Sequence, residues 1–257
     1  MDPLCKVSVI KQTDEPQTLM YSAMHQCYSE GLVSEQPRSL SESRYGDLCV
    51  KHLLQGNRGH YNPLEAPQIS LSVGYFPHST INQLRTHRTG VSFSVQSFRY
   101  TGDRISELGN LGTQYNNSTD FDPSDFLYSE IEKVFYVRPL GAYTDRSGNR
   151  YQVTEDHRKD DLHDCLLAAA KYQDRIIDRG YSEEHARSLI PFDVRQHFVM
   201  SCNLRSLLHI LDLRSKKDAQ LEVQQFCELT IPHLRSWVPE IWQWYEDNRY
   251  GKARLSP

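Results

Sequence analysis

Apolar residues return along this chain with two different periods, and the changes of period mark its elements. Residues 15–29 carry Leu19, Ala23 and Cys27 on one helical face, and residues 39–55 carry Tyr45, Leu48, Cys49, His52 and Leu53 near the same period, which predicts two N-terminal helices. Ile69, Leu71, Val73 and Tyr75 then alternate with Ser70, Ser72 and Gly74, the signature of a half-buried strand ending near Pro77. Pro77-His78-Ser79-Thr80 reads as a helix entrance, with Ile81 and Leu84 inward and the helix running on into His87 and Arg88. Gly90 stops it before Val91-Ser92-Phe93-Ser94-Val95, a second alternating run.

Residues 109–125 and 144–150, rich in Gly, Asn, Ser, Thr and Asp, read as loops. Residues 133–138 and 150–153 are expected to pair as a hairpin around Gly148-Asn149, and 155–179 to form a long amphipathic helix. Residues 194–203 read as extended. The last third, through Leu207, Leu208, Leu211, Leu221, Val223, Phe226, Trp237, Ile241, Trp242 and Tyr245, reads as mostly helix. Strands and helices are clustered rather than alternating as βαβ units, so the expected class is α+β, a mostly antiparallel sheet flanked by helices. A single domain over residues 1–257, with insertions near 104–160, is the expected organisation.

Composition narrows the classes. The formal net charge is −4, which argues against a general nucleic-acid binder. Six cysteines lie scattered without a C-x-x-C pair, as reduced thiols do, and no run of eighteen apolar residues or basic-then-apolar leader is present. A cytoplasmic protein with no membrane partner is expected, in which the sequons at Asn116 and Asn117 go unused. His157, Asp160, Asp161, His163, Asp164 and Cys165 offer ligand-type side chains, but interleaved Arg158 and Lys159 on a continuous helix make a solvated face, so no metal site is expected. The C-terminal aromatics Trp237, Trp242, Trp244 and Tyr245 read as core or subunit packing rather than a base-stacking surface.

Against this background Arg85-Thr86-His87-Arg88 and Ser97-Phe98-Arg99-Tyr100 stand out, gathering three cations, an imidazole and hydroxyls within sixteen positions. No G-x-G-x-x-G or G-x-x-x-x-G-K-[ST] exists, so phosphate would be held by side chains. Arg85, Arg88, Arg99, Arg187, Arg205 and Arg214 are suited to it, because a guanidinium keeps its charge and offers paired donors. Arg205, His209 and Asp212 recur at helical intervals on one face, either a solvated stripe with Asp212 softening an Arg205/His209 repulsion or a ligand-facing one.

Together these segments resemble the flavin-dependent thymidylate synthases, whose signature is Arg-His-Arg, a spacer of seven or eight residues, and Ser. Here it reads Thr86-His87-Arg88, an eight-residue spacer, then Ser97. Gly59-His60-Tyr61-Asn62-Pro63-Leu64-Glu65 is similar to the family's Gly-His-x-x-Pro-x-Glu, and Asn203-x-Arg205 and Asp212-Leu213-Arg214 match further on. The resemblance spans roughly residues 50–100 and 185–228. Thr86 stands where the family has its first Arg, with Arg85 adjacent as a substitute guanidinium, and Ser94 or Val95 stands where an acidic or amide residue is common.

The resemblance implies methylation of dUMP to dTMP with methylenetetrahydrofolate as carbon donor, FAD carrying the hydride and NADPH reducing the flavin, in a homotetramer whose sites lie between subunits. It implies no covalent nucleophile, and none of the six cysteines follows a proline. By residue matching it places Gln83, Arg85, Ser97, Arg99, Arg187 and Arg214 on dUMP, with Arg99 and Arg187 on its phosphate and Arg214 as the catalytic cation at the pyrimidine N3/O2 edge. Thr86, His87, Arg88, Asn203, Arg205 and His209 fall at FAD positions, and His60 would position flavin or folate. The competing readings are a non-catalytic nucleotide- or RNA-binding protein using the Arg85–Arg99 cluster on phosphates, and a relative that keeps flavin but has lost methyl transfer.

Overall fold

A computed structural model describes residues 1–57, 59–113, 125–145 and 147–252. In chain order the elements are β1 (Lys6–Gln12), α1 (Pro16–Gln26), α2 (Glu42–Cys49), β2 (Gln68–Pro77), α3 (His78–Leu84), β3 (Val91–Val95), α4 (Asp103–Gly112), α5 (Asp125–Val134), β4 (Gly141–Thr144) and β5 (Arg150–Val153). Then follow α6 (Glu155–Ile177), α7 (Glu183–Ala186), β6 (Arg195–Asn203), α8 (Leu204–Arg214), α9 (Leu221–Trp237) and α10 (Pro239–Asn248). Four strands form a sheet in the order β1-β2-β6-β3. Its neighbours run antiparallel, as the numbers across each ladder show: Thr13 N–H bonds Gln68 O while Cys5 Sγ approaches Tyr75 O, Leu204 N–H bonds Pro67 O while His78 N–H bonds Val194 O, and Asn203 N–H bonds Gly90 O while Gln96 N–H bonds His197 O. The α+β expectation holds.

The chain groups into two compact units. One holds Lys6–Val73, Asn82–Ser94 and Phe198–Pro257; the other holds Met1–Cys5, Gly74–Ile81 and Val95–His197. In the first, Ile69, Leu71 and Val73 of β2 are almost fully buried on one side, each worth roughly 1.5–3 kcal/mol on removal from water. Trp237, Ile241, Trp242 and Tyr245 join this interior, as the packing reading of the C-terminal aromatics requires, while Trp244 is only partly buried. In the second, α4 lies against α6 so closely that a Cβ on Gly109 would come within 2.5 Å of Ala169 O, and one on Gly112 within 3.0 Å of Leu166. Phe98, Ile105, Leu108, Ile131, Leu162 and Leu166 are among the core residues there.

Several expectations are corrected. The glycines from 109 onward are packing glycines inside α4, not loop residues; of that stretch, 114–124, with Asn116 and Asn117, lie outside the described residues. The strand paired with Arg150–Val153 is Gly141–Thr144, in the register Tyr143↔Tyr151, rather than 133–138. Lys133 and Val134 instead end α5, and Phe135 makes an isolated bridge with Val194. The helix from His78 stops at Leu84, where a turn closed by His87 N–H on Leu84 O replaces it. In α1 the buried stripe is Pro16, Gln17, Thr18, Met20 and Met24, whereas Leu19 and Cys27 are exposed: the flexible methionines fill the interior, and the Glu42 carboxylate takes the Gln17 and Thr18 N–H groups at the helix start. His157 in α6 serves a capping box with Thr154.

Candidate active site

The start of α8 is built from a turn that only glycine can make. Gly90 has φ +66°, and a Cβ there would meet Asn203 Nδ2 at 2.3 Å and Ser206 Oγ at 2.4 Å. Asn203, buried, caps the helix by accepting the Ser206 N–H at 2.8 Å, and Ser206 Oγ donates to Thr89 O at 2.7 Å. The segment Thr89-Gly90 and the head of α8 are thus tied together, so the His87 turn is fixed relative to α8.

At the other end of α8, Arg214 spends four hydrogen bonds on that turn. Its Nε donates to His87 Nε2 at 3.0 Å, Nη1 to Gln83 Oε1 at 3.1 Å, and Nη2 to Gln83 O at 3.2 Å and to Thr86 Oγ1 at 2.9 Å. Thr86 in turn donates to Gln83 O at 2.7 Å. Since His87 Nε2 accepts, its proton sits on Nδ1 and the ring is neutral. Burial, the Arg214 charge and His209 hold its pKa down to about 4. The His209 ring meets His87 edge-on, with centroids 5.3 Å apart, and its buried Nδ1 has no hydrogen-bond partner among the described residues. Gln83, Thr86, His87, His209 and Arg214 therefore form one cluster.

The face shared by Arg205, His209 and Asp212 divides three ways rather than forming one stripe. Arg205 Nη1 pairs with Glu65 Oε1 at 2.6 Å, which joins the Gly-His-x-x-Pro-x-Glu segment to Asn203-x-Arg205. Asp212 is buried: it accepts from Tyr245 Oη and from Arg249 Nη2, each at 2.7 Å, and so does not soften a repulsion between its neighbours. His60 is partly buried, its Nε2 without a partner among the described residues, while Arg85 and Arg88 are exposed.

The other unit holds the remaining expected residues. Ser97 opens a turn in which its carbonyl accepts from Tyr100 N–H at 3.0 Å and Thr101 Oγ1 at 2.9 Å. Arg99 Nε and Arg187 Nη2 share one carboxylate, that of Glu184, at 3.8 and 4.0 Å. All of these groups are substantially exposed, and such pairs contribute roughly 0–1 kcal/mol. Two guanidiniums converging loosely on one anion, each able to exchange it, suit an incoming phosphate.

Residues 8–240 match the family model described as thymidylate synthase complementing protein. The chain belongs to this family. A flavin-dependent thymidylate synthase of Haloarcula marismortui is 28% identical over 269 residues, covering 98% of this chain and 99% of the relative. Its counterpart in Halobacterium salinarum is 24% identical, with 98% and 100% covered. Among solved structures, Thymidylate Synthase X of Helicobacter pylori with FAD and dUMP superposes with a TM-score of 0.66 at 17% identity, covering 95% of this chain and 98% of that one. The UMP/dUMP methylase PolB of Streptomyces cacaoi bound with 5-Br UMP gives 0.68 at 19% identity, covering 98% and 96%. These likenesses establish the family's fold for the chain.

Two participants escaped the reading of the sequence. Glu184, the anion that gathers Arg99 and Arg187, lies in a Glu-Glu pair with nothing to single it out. Glu65 belongs to the Gly-His-x-x-Pro-x-Glu segment, yet its tie to Arg205 spans 140 positions, and no local pattern could announce it.

Proposed function

We propose that the protein makes dTMP from dUMP by reductive methylation, taking its carbon from methylenetetrahydrofolate and its electrons from NADPH through FAD. The observation that carries this reading is the fixed Arg214 guanidinium. Held at four points by Gln83, Thr86 and His87, it is a cation preorganised in place, as required to stabilise negative charge on the pyrimidine N3/O2 edge while C5 acts as nucleophile. Arg99 and Arg187 take the phosphate in exchange for Glu184, Ser97 orients the nucleotide, and Gln83 and Arg85 complete its contacts.

Bound FAD supplies hydride chemistry that side chains lack. The residues present fit it: His60 Nε2 and His209 Nδ1 are buried without partners among the described residues, a cost of about 1–3 kcal/mol each that a ligand atom would relieve. Exposed Arg88 and half-buried Arg205, the latter in exchange for Glu65, suit its pyrophosphate, with Thr86, His87 and Asn203 beside them. A covalent route through the buried Cys49, Cys165, Cys202 or Cys227 finds no support. Burial pushes the Cys49, Cys165, Cys202 and Cys227 thiols up to about 12, leaving little thiolate. The assembly proposed is a homotetramer with sites between subunits, in the cytoplasm; among the described residues no helix is long and apolar enough to cross a membrane.

The test is a flavin spectrum of the purified protein, followed by anaerobic incubation with dUMP, methylenetetrahydrofolate and NADPH, and with UMP in parallel. Flavin bands with dTMP formed establish the reaction; methylation of UMP instead moves the substrate. Flavin without any methylated product leaves an NADPH oxidase, and no flavin after FAD reconstitution leaves a phosphate-binding module.

A further inference from the structure

A cavity of about 290 Å³ lies within the unit that holds α4 and α5, outside every residue assigned above. Its size falls just short of the roughly 300–1,000 Å³ usual for drug-sized ligands. Three features at its floor are unusual. Tyr75 breaks the alternation of β2 with φ +65°, in the left-handed region that aromatic residues seldom enter and that is found enriched around ligand sites. Its N–H donates to His197 Nδ1 at 3.3 Å, and the two rings meet edge to face at 4.7 Å. Because Nδ1 accepts, the neutral imidazole carries its proton on Nε2 and offers it as a donor; burial and the Arg104 charge keep it neutral.

Arg104 is the third feature. One of its nitrogens, Nη2, donates to Gln96 Oε1 at 3.2 Å and to the Arg195 carbonyl, while Nε is buried with no acceptor among the described residues. Among the described residues no carboxylate pairs with it, so this guanidinium is a half-buried cation without an anion. The cavity's other cation, Lys133, is neutralised by Glu130 at 2.5 Å. Leu108, Leu111 and Val134 supply apolar wall.

We propose that this cavity binds a small aromatic monocarboxylate, its carboxylate meeting Arg104 Nε–H and His197 Nε2–H and its ring lying against Leu108, Leu111 and Val134. Arg104, which makes no direct ion pair among the described residues, matches one negative charge, and Glu107 in the same lining opposes a dianion such as phosphate. The apolar wall and the Tyr75 ring favour a flat hydrocarbon body over a free inorganic ion. This site stands apart from the flavin and nucleotide assignments, so binding there stands or falls independently of them.

The experiment titrates the full chain with benzoate while following the His197 ring resonances by NMR, with benzamide and inorganic phosphate as comparators. Benzoate should shift them saturably, with benzamide and phosphate each weaker by about tenfold or more. Arg104→Gln should weaken benzoate by a similar factor; Leu111→Trp, which fills the cavity without touching either donor, should do the same at unchanged circular dichroism. Absence of a benzoate shift, phosphate binding as tightly as benzoate, or undiminished binding by folded Leu111→Trp overturns the proposal.

Discussion

The guanidinium of Arg214 and the pair formed by Arg99 and Arg187 carry the same charge in opposite settings. Arg214 is half-buried and hydrogen-bonded through three of its nitrogens to Gln83, Thr86 and His87, whereas Arg99 and Arg187 reach one exposed Glu184 at 3.8 and 4.0 Å. A group meant to meet charge as it develops gains from being immobile, since it has no reorganisation left to do. A group meant to capture and release an anion gains from a weak partner that it can exchange. In the proposed reaction the comparison separates turnover, on Arg214, from substrate capture, on the pair.

The largest expected effect breaks the first member. Arg214→Ala should lower kcat by about 10²–10³-fold while the melting temperature stays close to that of the parent, as steady-state kinetics and calorimetry on one preparation will show. Next is His87, whose folded pKa of about 4 lies below its ordinary 6.5. The unfolded chain therefore binds the extra proton first, so stability is full above about pH 6.5 and falls as pH drops towards 4, by up to about 3 kcal/mol. Denaturant titrations of His87→Asn across that window should lose this slope; a slope equal to the parent's would place the titration elsewhere.

Gly90→Ala sharpens the comparison from below, because it strikes the turn that holds His87 and Thr86 rather than the arginine. The positive φ and the contacts with Asn203 and Ser206 should cost about 1–3 kcal/mol of stability, read from the denaturation midpoint, and reduce kcat through a loosened Arg214. Smallest are changes at the exchanging pair. Arg187→Ala should raise the KM for dUMP about tenfold with kcat little changed, and Glu184→Gln should lower it by a few-fold at most, since exposed ion pairs contribute roughly 0–1 kcal/mol. A drop in kcat from Glu184→Gln would show that the two settings are not separable.

Periodicity located most of the fold because its strands and longer helices bury one face. Ile69, Leu71 and Val73 alternate and are buried, and Leu207, Leu208 and Leu211 face inward as read. It failed where another demand overrode the period. Gly109 and Gly112 look like loop residues but exist to let α6 approach, and Leu19 advertised a face that Met20 and Met24 occupy instead. The candidate site was legible through the family resemblance that the motifs carry, which implies Gln83, Thr86, His87 and Arg214 as site residues. What spacing cannot convey is who bonds whom: that Thr86, standing at the family's arginine position, accepts from Arg214, or that Asp212 turns away from Arg205 and His209 towards Tyr245 and Arg249.

That last bond has a practical side. Asp212 sits two residues before Arg214, and its two oxygens are capped by Tyr245 from α10 and by Arg249 just beyond it. Cutting the chain ahead of Arg249 would strand a carboxylate oxygen in an apolar interior, and the simplest relief is for the end of α8 to shift outward, carrying the guanidinium off its perch. A fusion or affinity handle grafted after residue 250 preserves this clasp, while one that replaces the final turn of helix reaches the chemistry from a place no one would think to look.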